Sequence, residues 1–307
     1  MSLERFEYIL AIAEEKNITK AAKRLFISQP GLTSYVNKLE KELGVKLFDR
    51  STSPIRITSA GQFYISKMKE LQLHEAVLLN TLRDMGTPQR LFRIGIGSTR
   101  GTNWLPVILP ALKKKHPDVT IQLDEGGLTS LEEAVANGSI DIAFGCFSAA
   151  YTDLRYDHLA NEEIFCVVPR SASCVSHFSA EEATLSHPSI IEGHLLSGYP
   201  FLVPAPSNGF HAFTEQILKR YHIVPGEMIR MSNLETAYQL AGNGYGALLI
   251  NAHDLNKRYP KLSKHLAFCV FSETPLIRKS LCAYRDDCEN MDLIYDLKDI
   301  IIHQVLT

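Results

Sequence analysis

The chain contains 307 residues, of which 45% are hydrophobic and 21% are charged, and its formal net charge is −2. This length exceeds that of an average domain, and the composition excludes disordered, collagenous and small disulfide-stapled proteins. Its apolar runs end far short of the roughly 18 to 20 residues that span a bilayer. The N-terminus is acidic where an export signal would be basic, and the six cysteines show no paired CxxC spacing. We therefore expect a cytoplasmic protein of two or three folding units, without a membrane segment, a metal site or a cofactor.

The N-terminal segment has the pattern of a winged helix-turn-helix. Apolar residues at helical spacing predict a helix over 3–15, and a short second helix begins at about Ile18. A serine followed two places later by a proline marks the start of a third helix, over 28–43. Two short apolar segments, at 45–48 and 55–58, flank a Ser- and Pro-containing turn and predict a β-hairpin, the wing.

Short motifs in this segment resemble, in order and spacing, those of the N-terminal domain of LysR-type transcriptional regulators. The matching motifs are NITKAAKRLFISQP at 17–30, LE at 39–40, LGVKLFDR at 43–50 and TSAG at 58–61. The resemblance covers about the first 61 residues almost without a gap and implies a DNA-binding domain that controls transcription. The helical pattern alone would also fit any three-helix bundle.

A long helix is predicted from Thr58 to about Met85, where a Gly-Thr-Pro sequence ends it. Its apolar residues follow the a and d positions of a coiled coil, with Glu75 interrupting the series. They are Tyr64, Met68, Leu71, Leu78, Leu82 and Met85. The LysR resemblance implies a linker helix that dimerises, and the alternative is a helix packed on the core of its own domain.

From residue 91 the pattern changes to strands that alternate with helices. Strands are predicted at 91–97, 119–124 and 140–145, and helices at 103–116 and 131–137. This alternation predicts parallel sheets with helices on both faces. Two later strand-like segments, about a hundred residues apart, indicate a chain that crosses twice between two lobes. The order resembles the LysR-type effector domain, which has the fold of periplasmic solute-binding proteins, but its motifs are less specific.

We therefore predict an α/β protein with three parts. They are a winged helix-turn-helix DNA-binding domain at 1–58, a linker and dimerisation helix at 59–87, and a two-lobed, periplasmic-binding-protein-like effector-binding domain at 91–307. Within the last part, lobe I comprises 91–164 and 269–307, and lobe II comprises 165–268.

The third helix is predicted to enter the major groove of DNA, where amide and hydroxyl side chains read base edges. The first 90 residues carry 14 Lys and Arg against 10 Asp and Glu, which permits a polyanionic partner. The candidate DNA-binding residues are Lys20, Ser28, Gln29, Pro30, Gly31, Thr33, Ser34, Asn37, Lys38 and Arg56. Of these, Lys20, Lys38 and Arg56 are predicted to contact phosphate. Many LysR-type proteins carry Arg at the position of Ser34 and a different small residue at that of Gly31, so the operator sequence does not transfer. Arg50 fits either a packing or a solvated position.

Polar residues where predicted strands lead into helices are candidates for the effector site, because ligands of open α/β sheets bind beyond the carboxyl ends of strands. They are Ser98, Thr99, Arg100, Thr129, Ser130, Ser207, Asn208, Ser232 and Asn233, with Tyr245 as a wall. Arg100 suits a carboxylate or another planar anion, and a salt bridge within the protein is its alternative. Each hydroxyl or amide could instead cap its own helix.

The sequence thus predicts a sequence-specific DNA-binding transcriptional regulator, controlled by a small-molecule, anionic effector bound between two lobes. The expected partners are double-stranded DNA with an inverted-repeat operator, the effector, and further copies of the chain in a homodimer or homotetramer. RNA polymerase is a candidate further partner.

Three other functions fit the sequence less well. The chain shows no catalytic motif, and Gly95, Gly97 and Gly101 depart from the dinucleotide-binding spacing, so we expect no enzyme. A redox-sensing regulator would need a reactive pair such as Cys166 with Cys174, or Cys282 with Cys288. A solute-binding protein would share the two lobes but lack the N-terminal DNA-reading domain.

Overall fold

The computed structural model describes residues 5–86, 89–173, 182–206 and 208–306. The chain divides into two compact units, Met1–Arg83 and Asp84–Thr307. Among the described helices, none combines the length and apolarity that a membrane span requires.

Three helices, a two-stranded hairpin and the beginning of a long helix build the first unit. The elements are α1 Phe6–Glu15, α2 Ile18–Arg24, α3 Gln29–Leu43, β1 Phe48–Asp49, β2 Arg56–Ile57 and α4 Ser59–Met85. The two strands pair antiparallel, with Phe48 opposite Ile57. The helices enclose a core that includes Phe6, Ile9, Leu32 and Val36. The predicted winged helix-turn-helix is confirmed.

Side-chain caps explain why the helices start where they do. The Asn17 side chain accepts a hydrogen bond from the Lys20 amide at 3.0 Å, at the start of α2. Ser28 Oγ accepts from the Gly31 amide at 3.2 Å and caps α3, and Thr58 Oγ1 likewise caps α4. Each cap satisfies a backbone donor that the first turn of a helix leaves without a partner.

The predicted dimerisation stripe of α4 divides into two parts. Met68 is 2% exposed and lies in the core of the first unit, with Tyr64 half-buried beside it. The later members are exposed, from 45% at Leu71 to 68% at Met85. The start of α4 is therefore a core helix, and only its later part is free to pair with another helix.

The described part of the second unit contains ten strands, most of them in one mixed sheet. They are β3 Leu91–Ile96, β4 Thr120–Glu125, β5 Ile142–Gly145, β6 Arg155–Pro169, β7 Ser189–Ile190, β8 Pro200–Pro204, β9 Glu227–Met231, β10 Leu248–Ile250, β11 Leu266–Val270 and β12 Leu276–Tyr284. The large sheet has the order β4-β3-β5-β12-β6-β11-β7, with β10 also paired to β6, while β8 and β9 form a parallel pair.

The long strand β6 joins two lobes. Its first part pairs with β12, and its last part pairs with β10 and β11. Lobe I is thus built on β3, β4, β5 and β12, and lobe II on β7 to β11. As predicted, strands are parallel from β3 to β5, in the pair β8 and β9, and in the pair β7 and β11. The prediction is wrong for β6, which is antiparallel to β10 and β11, and for β12, which is antiparallel to β5 and β6. For β12, the reason is that the chain re-enters lobe I from lobe II in the opposite direction.

Helices cover both lobes. They are α5 Ser98–Lys115, α6 Leu128–Ala136, α7 His211–Arg220, α8 Leu234–Gly242, α9 His253–Arg258, α10 Pro260–Ser263 and α11 Met291–Gln304, with a 3-10 turn at Gly193–Leu196. Lobe I has one apolar core, and two clusters fill lobe II.

Helix α5 begins at Ser98, earlier than the predicted start at 103. Gly97 takes the extended conformation of a cap residue, and its carbonyl accepts a hydrogen bond from the Gly101 amide at 2.8 Å. A buried glycine at position 101 lets this first turn lie close to Ile96 and Glu125. Residues 98–102, which the predicted helix did not include, are therefore part of α5.

Candidate DNA-binding surface and effector cleft

The start of α3 presents most of the predicted DNA-binding residues to solvent. The exposed ones on this helix and its cap are Ser28, Gln29, Pro30, Gly31, Ser34, Asn37 and Lys38. Thr33 is half-buried, and Lys20 on α2 and Arg56 on β2 are exposed. The folding of the first unit thus leaves a polar helix face accessible.

Two of these side chains are held by neighbours. Gln29 Nε2 donates to Thr33 Oγ1 at 3.0 Å, one helical turn along α3. Asn37 Oδ1 accepts from Arg50 Nη1 at 2.9 Å, which links α3 to the residue just after β1. Lys38 lies 4.0 Å from Glu42, a separation too long for a strong ion pair at an exposed site.

Sequence reasoning missed a buried carboxylate, Glu40, that joins α3 to the wing. Glu40 Oε1 accepts from the backbone amides of Leu47 and Phe48 at 2.9 and 3.2 Å. Its Oε2 accepts from Lys46 at 3.1 Å and from Arg50 at 3.3 Å. Its place one turn after a buried valine, on the apolar stripe of α3, was the available signal.

The same contacts decide the ionisation of Glu40. Burial alone would raise the pKa of its carboxyl, but the hydrogen bonds from Lys46 and the two amides, with the charge of Arg50, lower that pKa overall. Glu40 is therefore a carboxylate at neutral pH. The open question about Arg50 is also answered, because its guanidinium packs between Asn37 and Glu40.

In the second unit, the predicted effector residues follow the carboxyl ends of parallel strands. Ser98, Thr99 and Arg100 occupy the first turn of α5, after β3. Thr129 and Ser130 lie at the start of α6, after β4. After the strands of lobe II come Asn208, Ser232 and Asn233, and Ser207 falls outside the described residues.

These two edges face each other across the lobes. The backbone of Gly209 packs against the side chain of Leu128, and Arg278 Nη2 donates to the Gly209 carbonyl at 3.2 Å. Arg258 on α9 also donates to Asn103 on α5. The strand ends of the two lobes therefore meet in one region, which we call the effector cleft. The contacts just described bridge this cleft.

Several predicted effector residues have local structural partners. Ser130 Oγ donates to the Gly127 carbonyl at 2.9 Å, and Asn208 Nδ2 donates to the Ser232 carbonyl at 3.1 Å. Asn233 caps α8 by accepting from two amides. By contrast, the hydroxyls of Ser98 and Thr99 form no hydrogen bond with any residue in the described ranges.

Arg100 is engaged within the protein. Its guanidinium lies 2.5 Å from Glu162 Oε1, donates to the Phe144 carbonyl at 3.3 Å and stands over the Trp104 ring. Only 15% of its side chain and 19% of that of Glu162 are exposed. Although burial opposes the charge, the charge of Glu162 raises the pKa of Arg100 overall. The salt-bridge alternative describes Arg100 in this structure.

A second arginine, which sequence reasoning missed, lies beside this pair. Arg278 on β12 stacks over the rings of Phe210 and Phe213, at 4.6 and 5.4 Å from their centroids. Burial lowers the pKa of Arg278, but arginine remains protonated at neutral pH. No carboxylate in the described part of the chain forms an ion pair with it. Of the two arginines beside Glu162, Arg278 is thus the one without an ion pair among the described residues.

Tyr245 is separated from the other predicted effector residues. Tyr245 lies just before β10. The residue that directly precedes this strand, Ala247, forms a parallel β-bridge with Phe201, near the beginning of β8. Tyr245 therefore lies at the amino ends of the lobe II strands, whereas Asn208 and Asn233 follow the carboxyl ends. Its side chain is 56% exposed there.

Three cysteines, Cys146, Cys282 and Cys288, have raised pKa values. Burial raises the pKa of Cys282 to about 11 and that of Cys288 to about 12, and burial followed by the charge of Glu162 raises that of Cys146. A reactive thiol needs the opposite shift, since the thiolate is the nucleophile. Cys174, the partner considered for Cys166, lies outside the described residues.

Comparison with protein families decides the affiliation of the chain. Residues 3–62 match the model of the bacterial regulatory helix-turn-helix proteins of the lysR family, and residues 85–305 match that of the LysR substrate binding domain. The chain belongs to the LysR family. It is a DNA-binding transcriptional regulator with an effector-binding domain.

Individual relatives of this LysR-family regulator match most of its length. The probable cat1 operon transcriptional activator of Acinetobacter lwoffii is 28% identical, over 84% of this chain and 85% of the relative. The regulator BenM of Acinetobacter baylyi is 26% identical, over 82% of this chain and 81% of BenM. Among solved structures, a full-length OxyR variant from Pseudomonas aeruginosa covers 98% of this chain and 99% of its own, with 23% identity and a TM-score of 0.55. This last similarity concerns the fold.

Proposed function

We propose that this LysR-family regulator reads an inverted-repeat operator with the exposed face of α3 and responds to an anionic effector bound between its lobes. The observation that carries the proposal is Arg278, which forms no ion pair with any described residue and lies in a cleft whose other arginine is neutralised by Glu162. The free hydroxyls of Ser98 and Thr99 lie in the first turn of α5, where backbone amides favour negative charge. Arg278 therefore replaces Arg100 as the proposed anion-binding arginine.

The domain boundaries follow the same proposal. We assign DNA binding to 1–58, dimerisation to 59–87 and effector binding to 91–307, with the lobes divided near Ile164 and Phe268. The exposed apolar residues of the later part of α4 supply a surface on which a second copy can pair. Two α3 helices of a dimer would then read half-sites about 34 to 36 Å apart.

Linkage limits how the effector can act. A ligand shifts the arrangement of the protein only by its difference in affinity for the two arrangements, and DNA must alter effector affinity by the same factor. The Leu128–Gly209 and Asn103–Arg258 contacts bridge the cleft, so an effector that separates them has a direct route to changing the lobe arrangement. We propose that the chain acts by binding and not by catalysis, in the cytoplasm.

Operator reading is tested by two substitutions on the first unit. Gln29→Ala is expected to lower operator affinity by about 1 to 3 kcal/mol while leaving nonspecific binding nearly unchanged, because an amide pairs with one base. Arg56→Ala is expected to weaken binding to both kinds of DNA and to flatten the salt dependence. Gel-shift titrations at several salt concentrations measure both effects, with the exposed Gln62→Ala as control. Identical effects of the two substitutions on both DNA types would contradict the assignment.

Effector binding is tested by thermal-shift screening of the full chain against carboxylates, phosphate esters, amines and neutral sugars. An anion at 100 times its Kd should stabilise the protein by about 2.7 kcal/mol. Arg278→Gln is expected to lower the affinity for that anion about tenfold or more, because a hydrogen bond to a charged group is lost.

The matched control is Lys279→Gln, which removes the same charge from the next residue of β12, where the side chain is exposed. It should bind the anion as the unchanged protein does. Stabilisation by amines or neutral sugars alone, or equal affinity in the Arg278 and Lys279 variants, would rule out the proposed anion site.

A further inference from the structure

A second cavity lies in lobe II, outside the effector cleft. It is open to solvent and is lined by the carboxyl end of α8, the α9–α10 segment and the residues that flank the paired ends of β6 and β11. Its volume of about 830 Å³ is within the range that holds a small organic ligand. The cleft residues Ser98, Thr99 and Arg278 do not line it.

The cavity is strongly cationic. Its lining includes Arg170, Arg258, Lys261, Lys264 and His265, and no Asp or Glu is found among the described lining residues. Glu235 neutralises Arg258, whose Nη1 lies 3.0 Å from both carboxylate oxygens. The other three permanent cations have no ion pair with any residue in the described ranges.

Arg170 is the fixed member of this cluster. Its Nε donates to the Lys264 carbonyl at 3.1 Å and its Nη2 to the Ala183 carbonyl at 3.2 Å. The remaining nitrogen, Nη1, is buried and has no hydrogen-bond partner among the described residues. The guanidinium is thus held in place by backbone groups, while its charge has no ionic partner in the described part of the chain.

The helix end beside the cavity does not balance this charge. The carboxyl terminus of α8 contributes only about half a negative charge, against three cationic side chains. A single carboxylate would neutralise one of the three, whereas a phosphate ester of two or more charges can be shared among them. Tyr259, Pro260 and Leu262 supply an apolar wall for an organic group.

We propose that this cavity binds a phosphorylated metabolite of nucleotide size, with its phosphates held by Arg170, Lys261 and Lys264. Such a ligand binds apart from Arg278 and adds a second input to the regulator.

The test uses the full chain and ADP as the probe in isothermal titration calorimetry at physiological salt. The unchanged protein is expected to bind ADP with a Kd below about 1 mM. The double variant Lys261→Gln/Lys264→Gln should bind about tenfold or more weakly, because two charge-assisted contacts are lost. The control Lys219→Gln/Lys279→Gln removes the same charge from exposed positions outside the cavity and should bind normally.

Further probes separate this proposal from its competitors. Adenosine should bind far more weakly than ADP, and Arg278→Gln should leave ADP binding unchanged. The proposal is overturned if ADP does not bind, if both double variants bind it equally, or if citrate or adenosine binds as tightly as ADP. Loss of ADP binding in Arg278→Gln would place the probe in the effector cleft and would also overturn it.

Discussion

Replacing Glu40 with alanine is expected to destabilise the first unit by about 3 to 5 kcal/mol, because one partner of a buried charged network is removed. The backbone amides of Leu47 and Phe48 would lose their acceptor inside the core, and Arg50 would lose its carboxylate. Asn37 would then be held less firmly, so operator binding should fall as well.

The two units can be followed separately during unfolding. The single tryptophan, Trp104, is buried in the second unit. In the Glu40→Ala variant, far-UV circular dichroism should show part of the helical signal lost at lower urea concentration, while tryptophan fluorescence keeps its original midpoint. Glu40→Gln preserves the shape of the side chain, so its first unit should have a stability between those of the unchanged protein and the Glu40→Ala variant. An unchanged circular dichroism profile in Glu40→Ala would contradict the structural role of this carboxylate.

The pH dependence of the first unit has a defined sign. The folded state lowers the pKa of Glu40 below its ordinary value of 4.5, so its contribution to stability is complete above that value. The contribution is lost as the pH falls through the folded-state pKa. The Glu40→Ala variant should therefore lose less stability on acidification than the unchanged protein.

Removing Arg100 should have a similarly large effect on the second unit. Arg100→Ala leaves the partly buried Glu162 without its partner, and a loss of about 3 kcal/mol, the lower end for buried pairs, is expected. Because the guanidinium lies 5.1 Å from the Trp104 ring centroid, tryptophan fluorescence reports this change directly. The urea midpoint of the fluorescence signal should fall, while the first unit unfolds as before.

A double replacement distinguishes an ion pair from a ligand contact. Arg100→Met with Glu162→Leu removes both charges and should recover much of the lost stability, since apolar pairs of similar volume replace buried ion pairs well. If Arg100→Ala kept full stability and lost only the response to effector, the original interpretation of Arg100 as a ligand residue would be right instead.

Local patterns were sufficient for the first unit. The caps at Asn17, Ser28 and Thr58 act on amides only three residues away, so short-range sequence contains what is needed to place them. The exposed polar face of α3 could be predicted for the same reason, because the spacing of apolar residues within one helix shows which face is buried. Glu40 was missed because its partners, at positions 46 to 50, become neighbours only when the wing folds back on the helix.

The cleft required the tertiary fold. Arg278 is more than a hundred residues from Arg100 and Glu162 in the chain, and no motif links them. They become neighbours because β12 returns antiparallel between β5 and β6, a direction that the alternating pattern did not predict. The position of β6 and β12 also explains why Arg100, which was expected to contact a ligand, forms an ion pair with Glu162. Arg278, which the sequence analysis did not select, forms no ion pair with any described residue.

Spacing along the chain therefore specified the helix-turn-helix, its capped helices and the alternating strands, because periodicity and capping depend on neighbouring residues. Which charges are paired, which face of α4 is buried and where Tyr245 lies depend on residues distant in sequence. Coulomb energy and burial are set by distances in space, and those distances exist only after the strands have been arranged.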